Sequence, residues 1–121
     1  MRKTLSKIAI GIESTAHTAG VGLITSEGKI LSNQRALYVP KEGGIHPREA
    51  ANHHSEKLPD LFKSALEEAG LTPADISLVS YARGPGLGPC LRTGATAARA
   101  FAYSHDIPLL GVNHCVAHLE I

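Results

Sequence analysis

Two histidines four residues apart, His114 and His118 in Asn113-His114-Cys115-Val116-Ala117-His118, carry the most specific chemistry in this chain. On a helix that spacing sets both imidazoles on one face, where they can grip a single metal ion. A closed tetrahedral site takes about four ligands and a catalytic site about three, so two histidines leave an ion mostly unliganded. The pair is therefore either structural or one part of a larger site. With three residues following His118, the larger site is the expectation. A protease of the His-Glu-x-x-His type needs a glutamate beside the first histidine as general base. Cys115 stands there, which disfavours peptide hydrolysis by that mechanism.

Two further segments have the residue types for binding. Glu13-Ser14-Thr15-Ala16-His17-Thr18 joins two apolar runs through hydroxyls and small residues. Such a tip can turn N–H groups and hydroxyls toward a phosphate, and Glu13 can hold a water or an ion; equally, these are ordinary turn formers. Gly84-Pro85-Gly86-Leu87-Gly88-Pro89 lacks the lysine and hydroxyl of a P-loop and does not match Gly-x-Gly-x-x-Gly. Its glycines permit either close approach to a ligand or a tight strand-to-helix corner. Arg83 and Arg92 flank this loop, as phosphate partners or as solvated side chains. His46, His53 and His54 lie at a helix start among charged residues and are expected to face solvent; His105 reads as a surface turn residue.

These groups need a frame to hold them. At 121 residues the chain is one domain, long enough to bury a core without disulfides. A hydrophobic fraction of 43% with 19% charged residues is ordinary for a soluble protein. The net charge of +1 gives no overall basic surface for nucleic acid, although a local patch can hide in a neutral total. Cys90 and Cys115 form no Cys-x-x-Cys pair and read as reduced thiols. The run Ile8–Ile12 is too short for a signal segment, and no stretch approaches the ~20 apolar residues of a membrane span. A cytoplasmic protein is expected.

Hydrophobic periodicity supplies the elements. Lys7 to Glu13, Ala19 to Thr25 and Ile30 to Val39 read as three strands of an antiparallel meander, with Ser26-Glu27-Gly28-Lys29 as a turn. Pro47 suits the first turn of a helix in which Leu58, Leu61, Phe62, Ala65, Leu66 and Ala69 recur at helical spacing, and Gly70 stops it. Pro59 should kink or split that helix. Ile76 to Ala82 is a strand, Leu91 to Tyr103 an alanine-rich helix and Ile107 to Val112 a fifth strand, after which Asn113 can cap the histidine helix. Three strands, helix, strand, helix, strand predicts an α/β fold: a ribonuclease H-like mixed sheet with flanking helices, the building block of actin-like ATPases.

The run from Arg99 through His105-Asp106-Ile107-Pro108-Leu109-Leu110-Gly111-Val112-Asn113-His114-Cys115-Val116-Ala117-His118-Leu119 resembles the signature of the universal threonylcarbamoyl-transferase family, once labelled O-sialoglycoprotein endopeptidase. Ile10-Gly11-Ile12-Glu13-Ser14-Thr15-Ala16-His17-Thr18 and Gly84-Pro85-Gly86-Leu87-Gly88 are similar to its other hallmark segments. His17 and Gly43-Gly44-Ile45-His46-Pro47-Arg48-Glu49-Ala50 resemble the archaeal and eukaryotic branch, the catalytic subunit of the KEOPS complex. The resemblance covers essentially the whole chain.

It implies a two-lobed actin-like ATPase (ASKHA) fold, with residues 1–121 as the N-terminal lobe and the second lobe missing. It implies transfer of threonylcarbamoyl from its adenylate to the adenosine beside the anticodon of tRNAs reading codons that start with A. By the same resemblance His114 and His118 are ligands of one divalent metal ion (iron, zinc or magnesium). Ser14, Thr15 and Thr18 lie near the phosphates of ATP or threonylcarbamoyl-adenylate, and Glu13 assists the reaction. Intact members continue for about another lobe, which supplies an aspartate ligand, a tyrosine and most of the adenosine pocket. The lobe alone is thus expected to be inactive but able to dock the small dimerising KEOPS subunit through the 47–70 and 91–103 helices. The kinase-like KEOPS subunit is expected to make contact elsewhere, with tRNA as substrate and no membrane partner. A metallopeptidase (glycoprotease) and a non-catalytic binding module are the competing readings.

Overall fold

The computed structural model describes residues 7–40 and 42–116. Strand β1 (Ile8–Glu13), β2 (Thr18–Thr25) and β3 (Ile30–Leu37) are followed by helix α1 (Pro47–Ala69), a 3-10 turn at Pro73–Asp75, β4 (Leu78–Gly84), α2 (Gly88–His105) and β5 (Leu109–Asn113). The five strands form one sheet in the order β3-β2-β1-β4-β5. β1 pairs antiparallel with β2, and β2 with β3; β1 and β4, and β4 and β5, are parallel. This is the mixed ribonuclease H-like sheet that the sequence pattern predicts.

Alternation builds the core. Ile8, Ile10 and Ile12 of β1, Ala19, Val21 and Leu23 of β2 and Val79 of β4 are buried in one cluster with Leu58, Leu61, Ala65 and Leu66 of α1 and Ala98 and Ala102 of α2. Side chains two apart share a sheet face, so these strands give their apolar face to the helices. On the other face Gly11, Gly20, Gly22 and Ser80 alternate with these core residues. Truncating the fully buried Leu58 to alanine would cost roughly 2–5 kcal/mol.

α1 buries Ala50, His54, Leu58, Leu61, Ala65 and Leu66, one stripe at helical spacing. It ends on Gly70 at φ 69°, whose N–H donates to the Glu67 carbonyl, while the Leu71 N–H donates to Leu66. That double bond is the Schellman closure, and it needs the left-handed conformation glycine adopts without strain. Of the kink or split expected at Pro59, the split does not occur: α1 is one helix through it. Pro59 and Ser55 both lie on the exposed side, where water can take the Ser55 carbonyl left without an N–H partner.

α2 begins three residues before the alanine pattern, with Pro89 in its first turn, and buries Cys90, Gly94, Ala98 and Ala102 every four residues. This row of small side chains lets the helix lie close to the sheet. β4 runs to Gly84, where the parallel register shifts to pair Gly84 with Asn113. Among the described residues no helix is long and apolar enough to cross a membrane.

Candidate nucleotide and metal edge

Because β1, β4 and β5 are parallel, their carboxyl ends open on one edge of the sheet. The Ser14–His17 turn, the Pro85–Leu87 loop and His114 follow those three ends directly. Open α/β sheets bind ligands at that edge, since the loops there are aligned by strands they do not have to form. The topology therefore gathers three of the segments singled out in the sequence.

The turn and the glycine loop are locked together. The Leu87 N–H donates to the Thr15 carbonyl at 2.8 Å, and the Ser14 hydroxyl donates to the Cys90 carbonyl at 2.8 Å. A Cβ on Gly86 would stand 2.7 Å from the Thr15 carbonyl oxygen and 2.8 Å from Thr15 Cβ. A Cβ on Gly94 would collide with the Ser14 hydroxyl. Gly86 and Gly94 are thus required by close approach of protein to protein.

Within the turn, one carboxylate oxygen of Glu13 accepts both the Thr15 N–H at 2.6 Å and the Thr15 hydroxyl at 2.5 Å. Such charge-assisted bonds are stronger than neutral ones. Ser14 and Thr15 are buried, at 2% and 6% exposure, so their hydroxyls brace the turn in this arrangement. Thr18 is half-buried and opens β2, opposite Leu37. What the turn has to offer an anion is chiefly its backbone N–H groups. Arg83 and Arg92 are both exposed, and Arg92 lines the groove between the helices.

His114 is half-buried and starts a helical turn. The Val116 N–H donates to the Asn113 side-chain oxygen at 3.0 Å, the cap that the sequence predicts. His118 lies outside the described residues. Among the described residues no three His, Cys, Asp or Glu side chains are grouped to hold a metal. His114 thus brings one nitrogen donor of the right chemistry to the edge. Cys90 is buried and Cys115 exposed, both as free thiols, and burial pushes the Cys90 thiol above its ordinary range.

His54 departs most from the sequence reading. Instead of facing solvent it is completely buried, with Nε2 2.6 Å from the Ala16 carbonyl and Nδ1 3.0 Å from Nδ1 of His53. His53 is half-buried with its ring against Tyr38, whose hydroxyl donates to Glu49. Desolvation, then the neighbouring His54 and Lys57, push its pKa below the usual value. The overlooked signal was spacing: His54 lies midway between Ala50 and Leu58 on the buried row of α1. His105 is exposed as expected, but it ends α2 and packs its ring on Phe101.

A groove of about 640 Å³ runs between α1 and α2, lined by Leu58, Phe62, Ala97, Ala100 and Phe101 among others. Phe62 and Phe101 stack face to face in it, with centroids 4.9 Å apart and planes 7° from parallel.

A family described as TsaD, tRNA N6-adenosine threonylcarbamoyltransferase, matches residues 28–121. A curated relative of that name from Ignicoccus hospitalis is 61% identical over 112 residues, covering 93% of this chain and 34% of the relative. Its counterpart from Methanopyrus kandleri is 60% identical over 115 residues, covering 94% and 33%. The chain thus spans about a third of the length of these relatives. Among solved structures, YeaZ from Pseudomonas aeruginosa superposes with a TM-score of 0.70 at 19% identity, over 88% of this chain and 43% of that one, a likeness of fold.

Proposed function

The chain belongs to the tRNA N6-adenosine threonylcarbamoyltransferase family, and we propose that it forms the N-terminal lobe of such a transferase, acting within a KEOPS-type assembly. The whole enzyme would move threonylcarbamoyl from its adenylate to the adenosine beside the anticodon. One observation carries this reading: the parallel strands deliver the Ser14–His17 turn, the glycine loop and His114 to a single sheet edge.

In the proposed mechanism the turn receives the phosphates of ATP or of the adenylate through its N–H groups. Glu13 and Ser14 keep it rigid through Thr15 and Cys90, so that little ordering is left for the binding step. His114 and, by spacing, His118 would be two ligands of a divalent metal, which when bound polarises phosphate or carbamoyl oxygens. The rest of the metal shell and most of the adenosine pocket would come from the remaining two-thirds of a full-length transferase, so the lobe alone would not turn over. The stacked Phe62–Phe101 groove on the α1–α2 face is apolar and would seat the small dimerising subunit. The kinase-like subunit and tRNA would engage other surfaces.

The test is a full-length chimera in which this chain replaces the matched third of the Ignicoccus relative, assayed for threonylcarbamoylation of tRNA alongside the isolated chain. An active chimera and an inactive isolated chain are expected. A folded, metal-replete chimera without activity would overturn the transferase reading, and an active isolated chain would overturn its dependence on a second lobe.

A further inference from the structure

The histidine that sequence reasoning placed in solvent is the only side chain of α1 given a hydrogen bond to the Ser14–His17 turn among the described contacts. It comes from 38 positions away and is fully buried, so neither of its ring nitrogens can fall back on water. Its partners constrain where its hydrogens lie. A carbonyl only accepts, so Nε2 of His54 carries the hydrogen that meets Ala16. In a neutral ring Nδ1 is then an acceptor, and the donor facing it must be Nδ1–H of His53. The imidazole thus sits between two partners, the Ala16 carbonyl and the His53 ring, that dictate its orientation.

The bond to Ala16 controls more than one atom. The peptide between Ala16 and His17 is trans, so the Ala16 carbonyl and the His17 N–H point in opposite directions from one rigid plane. A carbonyl drawn toward α1 presents the His17 N–H away from α1. The neighbouring carbonyls are tied as well: Thr15 accepts from the Leu87 N–H and His17 from the Tyr38 N–H. Of these three anchors two are backbone groups, which a change of side chain leaves in place. The third is the His54 ring.

We propose that His54 is a positioning residue for nucleotide binding: by holding the Ala16 carbonyl it aims the His17 N–H as a donor to a phosphate. The inference rests on the reading of the Ser14–His17 turn as the phosphate site. It assigns to a buried side chain of α1, remote from the sheet edge in sequence, the orientation of a group at that edge.

The experiment measures ATP affinity by calorimetry, with thermal unfolding in parallel, in the full-length chimera and its His54→Leu, His54→Asn and His54→Gln variants. A glutamine amide reaches about as far as Nε2 and can donate to Ala16; an asparagine amide reaches only as far as Nδ1. Losing one well-placed bond in a binding site weakens affinity by about tenfold, so His54→Asn and His54→Leu should bind ATP about tenfold less tightly and His54→Gln should recover wild-type affinity. The Asn–Gln contrast decides the matter even if the leucine variant fails to fold. Affinities that follow thermal stability alone, or an Asn variant that binds like Gln, overturn the proposal. His17→Glu, an exposed change that sets a carboxylate beside the turn, separates the two layers of the argument. If His17→Glu weakens ATP binding while His54→Asn does not, positioning by His54 is wrong and the phosphate site stands. If neither has an effect, the phosphate site itself is wrong and the proposal falls with it.

Discussion

Ser14 and Gly94 are packed so closely that the hydroxyl of one fills the space where a side chain on the other would begin. The same hydroxyl donates to the Cys90 carbonyl one turn earlier on α2. A single serine after β1 therefore fixes how near the helix lies to the strand end, and Gly94 is what permits that distance.

Gly94→Ala should accordingly destabilise the chimera by about 1–3 kcal/mol, the usual cost of forcing a methyl into a filled core. Gly44→Ala is the matched control, because a Cβ there meets nothing within 4 Å and should leave stability nearly unchanged. Thermal unfolding of the two variants checks this. Equal midpoints would mean that α2 can shift at little cost.

Glu13 has two separable roles to test. As an anchor it accepts two bonds from Thr15, so Glu13→Ala should cost roughly 1.5–3 kcal/mol and loosen ATP binding. Glu13→Gln keeps an accepting oxygen and should retain most of that stability. If the carboxylate also assists transfer, turnover by the glutamine variant will fall while ATP affinity holds; unchanged turnover would leave Glu13 an anchor only.

His53 should titrate below its ordinary value of 6.5, since desolvation and the adjoining His54 and Lys57 disfavour the cation. The unfolded chain then takes up the proton first. Between the folded midpoint and 6.5 it binds more protons than the native state, so stability falls as pH drops through that window. An imidazole NMR titration reads the midpoint directly, and a value at or above 6.5 would contradict the burial argument. His53→Gln should flatten the acid side of the stability curve.

His114→Ala should strip metal from the chimera. After loading with zinc and dialysis, the parent should retain about one equivalent, as a site of three or more ligands does, and the variant only background. Retention by the variant would place the ion elsewhere.

Ala100→Glu puts a charge in the α1–α2 groove at an exposed position and should abolish co-purification with the small dimerising subunit without lowering the melting temperature. Burying an unpaired carboxylate against Phe62 and Phe101 is too costly for a protein interface to absorb. Glu67→Ala, on α1 outside the lining of the groove, should leave the complex intact. Unimpaired capture by Ala100→Glu would move the docking site off this face.

The layout is legible in local pattern alone. Ile8, Ile10 and Ile12 declare a half-buried strand, the row from Leu58 to Ala69 declares a helix, and Gly70 ends it, because side-chain direction along a strand or helix is set by local backbone geometry. The order of those elements was enough for the mixed sheet, and the segments that flank its parallel strand ends were legible as chemistry. What each of them touches depends on packing between distant elements. Ser14 meets Cys90 across 76 positions and His54 meets Ala16 across 38, so no local period announces either contact. Pro59 keeps its helix whole because it happens to lie on the solvent side. A hydroxyl, an imidazole and a glycine have their uses assigned by the neighbours that packing brings within 3 Å, and that assignment is made only when α1 and α2 close on the sheet.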